Sequence, residues 1–434
     1  MIMKKYRLFV AKQKKINNMY RVFKFGGASV KNAEGVRNLK KILDIYKEEK
    51  LIVVISAMGK MTNQLEKVLD SWYYEPDSLQ INFEIVKNYH LDIAQQLENK
   101  TGEISNVLLP ILDRLSEILS EGHSNNYDKD YDNIVSFGEF LSTKLISTYL
   151  NLNGCNNVFS CAIQLVKTDD AYREGKVFWE ETMGSILSFV EENQSQIIIT
   201  QGFIGGTLHG DVTTLGREGS DFSAAIFAYC LNAIDVTIWK DVPGLLNADP
   251  KFFPEAIKLD KISYQEAMEL AYYGATIIHP KTIKPLQNKS IPLFVKSFLA
   301  PYGEGTVIAD IEPLEQIPSY IFKTEQILLS IFPKDFSFIA ADNLTKIFSF
   351  ISNNRLKVNL MQNSAVSFTI CIDHKPNRFA NLLKDLQDDF VVKYNMNKKL
   401  ITIRHYDEKA IEQVIGNQPI LLEQKSRSTL QVVI

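Results

Sequence analysis

Apolar residues fall in short unbroken runs separated by amphipathic stretches. Tyr20 to Phe25 is one such run and ends at Gly26 and Gly27. Val36, Leu39, Ile42, Leu43 and Tyr46 then recur on one helical stripe. Leu51 to Ser56 is a continuous run that closes in the small-residue loop Ala57–Gly59. Such a run marks a parallel strand buried on both faces. Ile197–Thr200 and Val236–Trp239 repeat the pattern. Strand, glycine loop, helix and strand predict an α/β fold, a three-layer αβα sheet. From about 64 to 128 strand signals are missing, and the stretch reads as an inserted helical region. Each buried strand ends at a candidate loop, where open α/β sheets bind their ligands.

The texture changes near residue 325. Ile327–Phe332 is strand-like, Leu344–Ile351 helical, and Lys357–Leu360 and Val366–Ile372 extended. Phe379–Leu386 is helical and Phe390–Tyr394 extended. That βαββαβ order is the ferredoxin-like split. Leu400–Ile403, a short polar stretch, Ile420–Leu422 and Thr429–Ile434 leave room only for a shortened second module. The expected division is a leader at 1–19, an α/β domain at 20–308, one module at 325–396 and an abbreviated one at 397–434. The leader is basic and polar, and its apolar patch Leu8–Ala11 is too short for a signal-peptide core. Translation from Met19 and a loosely ordered leader are both open readings.

Composition narrows the class. The chain has 434 residues, enough for two or three domains. A net charge of −3 gives no electrostatic case for nucleic acid. Cys155, Cys161, Cys230 and Cys371 form no C-x-x-C pair, so free thiols in a reducing cytoplasm are expected, with no metal held by the side chains. No apolar run reaches the ~18 residues of a membrane span.

The segment Thr213–Ala225 concentrates the chemistry. It carries Gly216, Arg217, Gly219, Ser220 and Asp221, then an apolar helical run. Ser220 or Asp221 is the expected N-cap, and a helix start beside glycine and arginine suits an anionic ligand. Neither a P-loop nor a G-x-G-x-x-G stands at a suitable position. Lys24 before Gly26 and Gly27 is another phosphate solution: backbone N–H groups, an ammonium, and the Ser29 hydroxyl. Glu139 lies in an otherwise apolar helix start, where an unpaired carboxylate is costly.

Five motifs stand in order: Lys24–Val30, Ser136–Ser142, Thr200–Gly205, Thr213–Ala225 and Trp239–Gly244. Together they resemble the motif series of aspartate kinases, strongly over about 20–308. The resemblance implies an amino-acid-kinase fold followed by ACT modules. It implies an ATP-dependent kinase that phosphorylates the β-carboxylate of L-aspartate, opening the route to lysine, threonine and methionine. It implies Mg-ATP and L-aspartate as partners, and a homodimer joined through the ACT modules. Lys24 would stabilise the transferring phosphoryl group, and Asp221 would orient that cation and the magnesium-bound phosphates. Thr62, Glu139, Arg217 and Ser220 would hold the amino acid, with Arg217 on the α-carboxylate and Glu139 on the ammonium. Lys24, Gly26, Gly27, Ser29, Lys240, Asp241 and Lys251 would face the nucleotide. Magnesium would be held mostly by phosphate oxygens and water.

Departures from that pattern are Lys240 for Thr or Ser, Leu246 for Tyr, Lys251 for Arg, and Thr276 for a phosphate-contacting Lys. Lys240 or Lys281 would supply the missing charge. Asn359 and Ala365 stand where lysine-sensitive relatives carry acidic residues, which predicts weak or absent lysine inhibition. Two rivals remain: a sister kinase acting on glutamate or an acylated amino acid, and a non-catalytic amino-acid-sensing protein. Glu139 argues against an acylated substrate, since a free ammonium is what it would hold.

Overall fold

The structure is a computed structural model and describes residues 19–98, 102–275, 278–312, 316–335 and 337–434. The leader before Met19 and the departure at Thr276 lie outside the described residues. The chain divides into two compact units.

The first unit takes in the chain up to Leu245, then Lys258–Met268 and the stretch ending at Glu312. Among its described residues, eight strands form one sheet. Their order is Lys261–Ser263, Thr306–Ala309, Leu293–Ser297, Val236–Lys240, Tyr20–Phe25, Lys50–Ile55, Ile197–Gln201 and Val158–Ser160. The central strands pair in parallel, with Phe25 opposite Ile55 and Trp239. Alternation explains the unbroken apolar runs. Phe23, Phe25, Leu51, Val53, Ile55, Ile197 and Ile199 enter one core with the helical insertion. Their neighbours Val22, Ile52, Val54, Ile198 and Ile238 point to the opposite face and are buried as well. The helix Ala33–Ile45 buries Val36, Leu39, Ile42 and Leu43 of its predicted stripe, with half-buried Tyr46 just past its end, and Asn32 caps it by accepting from Gly35 N–H at 2.9 Å. The insertion holds the helices Met61–Tyr74, Pro76–Leu97 and Glu103–Glu121. Tyr127–Val135 and Phe137–Leu152 follow.

The second unit contains residues 246–257, 269–275 and the described chain from 316. Its sheet runs Val358–Asn363, Phe368–Asp373, Ser319–Pro333, Phe390–Arg404, Thr429–Val433 and Leu422–Lys425. The expected first module is present, with helices Ala341–Asn353 and Pro376–Leu386 over a core of Ile327, Leu329, Ile370, Ile372 and Leu382. Two 15-residue strands, Ser319–Pro333 and Phe390–Arg404, pair along their length and serve both modules. Residue 397 therefore lies inside a continuous strand. The second module takes its first strand from Ser319–Lys323, upstream of the expected start. Its polar stretch is a single helix, Glu408–Val414, capped by Asp407 accepting from Ala410 N–H at 2.7 Å. Ile401, Ile403, Ala410, Leu430 and Val432 close its core.

Candidate functional site

Four strands of the first unit end side by side, and backbone bonds tie together the ends and loops of three of them. Ser56 N–H donates to Phe25 C=O at 3.1 Å, Gly59 N–H to Gly27 C=O at 2.9 Å and Gly202 N–H to Ile55 C=O at 2.9 Å. Glycine is required where these loops meet. A Cβ on Gly27 would lie 2.6 Å from Ala57 O, and one on Gly202 would lie 2.6 Å from Ser220 Cβ.

Lys24, one residue from the end of its strand, is 8% exposed. Its Nζ lies 2.6 Å from Asp221 Oδ1, and Lys240 Nζ lies 3.8 Å from Asp221 Oδ2. Burial would raise the Asp221 carboxyl, but the Lys24 and Lys240 charges outweigh it and hold the group below the ordinary carboxylate range. Two cations flank one carboxylate at the strand ends. The Ser29 hydroxyl is donated to Trp239 C=O at 3.3 Å. It therefore ties the glycine loop to the Val236–Lys240 strand.

Glu139, 2% exposed, sits in the first turn of Phe137–Leu152. Its Oε1 accepts from Ala57 N–H at 3.2 Å, while Oε2 is buried without a partner. Burial pushes this carboxyl up to about 8. A buried acceptor left open is an invitation to a donor that arrives with the substrate.

The helix after Arg217 begins at Gly219, and its cap is Glu218, left-handed at φ 54, with no side-chain cap bond. Ser220 and Asp221 lie in the first turn instead of capping it. This frees Asp221 to meet Lys24, and Ser220 packs on Gly202. Arg217 is exposed on the turn and Thr62 is half-buried at the start of Met61–Tyr74. Asp241 is exposed just past its strand. Lys251 is exposed within the second unit, where its N–H donates to Asp249 Oδ1 at 2.9 Å. Lys281 is exposed in the first turn of Pro280–Gln287.

The structure thus brings Lys24, Asp221 and Lys240 together and sets Glu139 against the neighbouring loop. Sequence reasoning missed Ala57, whose N–H orients Glu139, and Gly202. Only the small-residue loop at 57–59 and the glycine after a buried strand signalled them. Among the described residues no group of three His, Cys, Asp or Glu is placed to hold a metal ion. No helix of the described residues is long and apolar enough to cross a membrane.

Residues 19–297, well over half of the chain, match the amino acid kinase family. Chloroplastic aspartokinase 2 of Arabidopsis thaliana is 29% identical over 408 residues, covering 88% of this chain and 73% of that protein. The chloroplastic bifunctional aspartokinase/homoserine dehydrogenase of Daucus carota is 33% identical over 304 residues, covering 67% of this chain and 32% of its own length. The crystal structure of E. coli aspartokinase III in complex with aspartate and ADP (R-state) superposes with a TM-score of 0.82 over 96% of each chain at 24% identity. At that identity the likeness concerns the fold.

Proposed function

Because the chain belongs to the amino acid kinase family, we propose that it transfers the γ-phosphoryl group of ATP to the β-carboxylate of L-aspartate, giving 4-phospho-L-aspartate and ADP. The observation that supports this reading is a lysine pair around one carboxylate beside a buried glutamate oxygen at one sheet end, groups suited to a phosphate and to an ammonium. Lys24, Asp221 and Lys240 form the first, and the open Glu139 oxygen forms the second.

The substrate carboxylate is ionised at neutral pH, so its oxygen attacks the γ-phosphorus without a general base. The bond from that phosphorus to the β–γ bridging oxygen breaks, and the electron pair leaves on ADP. Such a transfer needs placement and charge neutralisation above all. Lys24 neutralises the transferring group, and Lys240 supplies a second cation. The glycine loop, too tight for a Cβ at Gly27, offers backbone N–H groups to phosphate oxygens. Asp221 holds both lysines in place, and magnesium would be held mostly by phosphate oxygens and water. Magnesium, when bound, supplies charge on the phosphate oxygens. Arg217 grips the α-carboxylate as a planar fork, Glu139 takes the ammonium, and Thr62 and Ser220 add hydroxyls.

The reading extends to a cytoplasmic homodimer joined through the ACT-like modules, acting at the head of lysine, threonine and methionine synthesis. Four free cysteines accord with a reducing compartment. ADP release with Mg-ATP should be saturable with L-aspartate and far slower with L-glutamate or N-acetyl-L-glutamate. Equal rates with glutamate would move the chain to a sister kinase.

A further inference from the structure

We propose that Asp132 is a positioning residue that sets the separation between the two arms of the amino-acid pocket, Glu139 and Arg217. The inference rests on the amino-acid pocket proposed above.

Asp132 is wholly buried, and the donors that hydrogen-bond it are neutral groups. Oδ1 accepts from Thr214 Oγ1–H at 2.7 Å. Oδ2 accepts from Thr214 N–H at 2.8 Å and from Arg173 N–H at 2.9 Å. Burying a carboxylate is costly unless it is well bonded, and these three bonds do not use an ion pair. The chain accepts that cost where three segments meet.

The first segment is the helix Tyr127–Val135, which carries Asp132 and runs through Ser136 into the helix bearing Glu139. The second is the strand Val212–Thr214, three residues before Arg217. The third is the turn at Arg173, whose backbone is left-handed at φ 69. That turn packs on the Arg217 loop. Gly175 N–H donates to Thr214 C=O at 2.9 Å, and a Cβ on Gly216 would lie 3.3 Å from Arg173 O. One carboxylate therefore grips both strands of chain that frame Arg217 and fixes them to the helical arm of Glu139. That arm is held from its other side. Tyr73 O–H donates to Asp130 at 2.6 Å and Tyr131 O–H to Glu66 at 2.7 Å. Both bonds tie it to the helix Met61–Tyr74, where Thr62 lies.

The geometry distinguishes shape from charge. In Asp132→Asn the amide oxygen can accept both N–H groups while its NH2 donates to Thr214 Oγ1, so all three contacts survive. In Asp132→Ala all three are lost. Thr214→Val removes the hydroxyl contact alone. The experiment is steady-state kinetics of the full chain with Mg-ATP and L-aspartate, with melting temperatures recorded beside it. Asp132→Ala should raise the aspartate KM about tenfold or more while shifting the Mg-ATP KM less than about twofold. Asp132→Asn should return the aspartate KM to within about threefold of wild type.

A folded Asp132→Ala with wild-type aspartate KM overturns the proposal. So does a loss in which both KM values and kcat change together with the melting temperature, which is the mark of a structural role alone. If Asp132→Ala does not fold, Thr214→Val decides: a raised aspartate KM alone supports the proposal, and an unchanged one overturns it. An inactive wild type would instead overturn the aspartate-kinase reading, and this inference with it.

Discussion

At the scale of single residues, burial decides what each charge can do. Glu139 is pushed up to about 8 by burial, above its ordinary 4.5, with Ala57 N–H and the Lys24 charge pulling back only in part. Near neutral pH the free site therefore holds a proton that an incoming ammonium must displace. The aspartate KM should fall as pH rises toward about 8, and Glu139→Gln should raise that KM and flatten its pH dependence. The sign for stability is opposite. The folded state keeps a proton that the unfolded chain releases, so this group's contribution is full below 4.5 and is lost as pH rises through about 8. Melting temperatures at about pH 6 and about pH 9 should diverge less in Glu139→Gln than in wild type. Lys24→Ala removes the closer cation from buried Asp221, leaving Lys240 at 3.8 Å. It should cost about 3–5 kcal/mol of stability beside the loss of turnover. Lys240→Met should lower kcat/KM for Mg-ATP by about tenfold to a hundredfold, with Lys281→Met far closer to wild type; equal values for both variants and wild type would remove lysine replacement from the mechanism. These residues were legible because a lysine and a carboxylate interrupt apolar runs. Asp132 was not, because it is one of three aspartates in a short helix and its partners lie 41 and 82 positions away.

At the scale of elements, legibility followed burial. The central strands show as unbroken apolar runs because both faces are covered. The helix cap was misread for a local reason: Ser220 and Asp221 are good caps by residue type, but Glu218 adopts φ 54 and starts the helix earlier. That conformation is uncommon outside glycine and leaves no composition signal. The helix Glu408–Val414 escaped because it is seven residues long and buries only Ala410. Close approach is the corresponding device at the site. In Gly202→Ala the new methyl would lie 2.6 Å from Ser220 Cβ and 2.9 Å from Ser220 Cα. The helix start bearing Ser220 and Asp221 must then shift, at about 1–3 kcal/mol. Denaturant titration should show that loss, and kcat should fall by more than the unfolded fraction explains.

At the scale of the whole molecule, a change of texture near 325 was legible, whereas the inclusion of residues 246–257 and 269–275 in the second unit was not. Nor was the division of the second unit, because its two long strands are shared between modules. The regulatory expectation has a structural basis there. Asn359 Oδ1 accepts from Lys323 Nζ at 2.7 Å, and its NH2 donates to Gln326 Oε1 and to Asp373 Oδ1, each at 2.8 Å. The side chain is committed to its own unit instead of offering a carboxylate to a diamine. Half-inhibition by lysine should therefore need more than about 1 mM, an affinity weaker than about −4 kcal/mol; inhibition well below that would show another acceptor for its ammonium groups. Phosphorylation of aspartate at the Lys24 site is measured most directly by product trapping. With Mg-ATP, L-aspartate and hydroxylamine, wild type should form the β-hydroxamate of aspartate in step with ADP, and Lys24→Ala should form almost none. Saturable aspartate or nucleotide binding without any hydroxamate from wild type would contradict it and leave an amino-acid-sensing protein in its place.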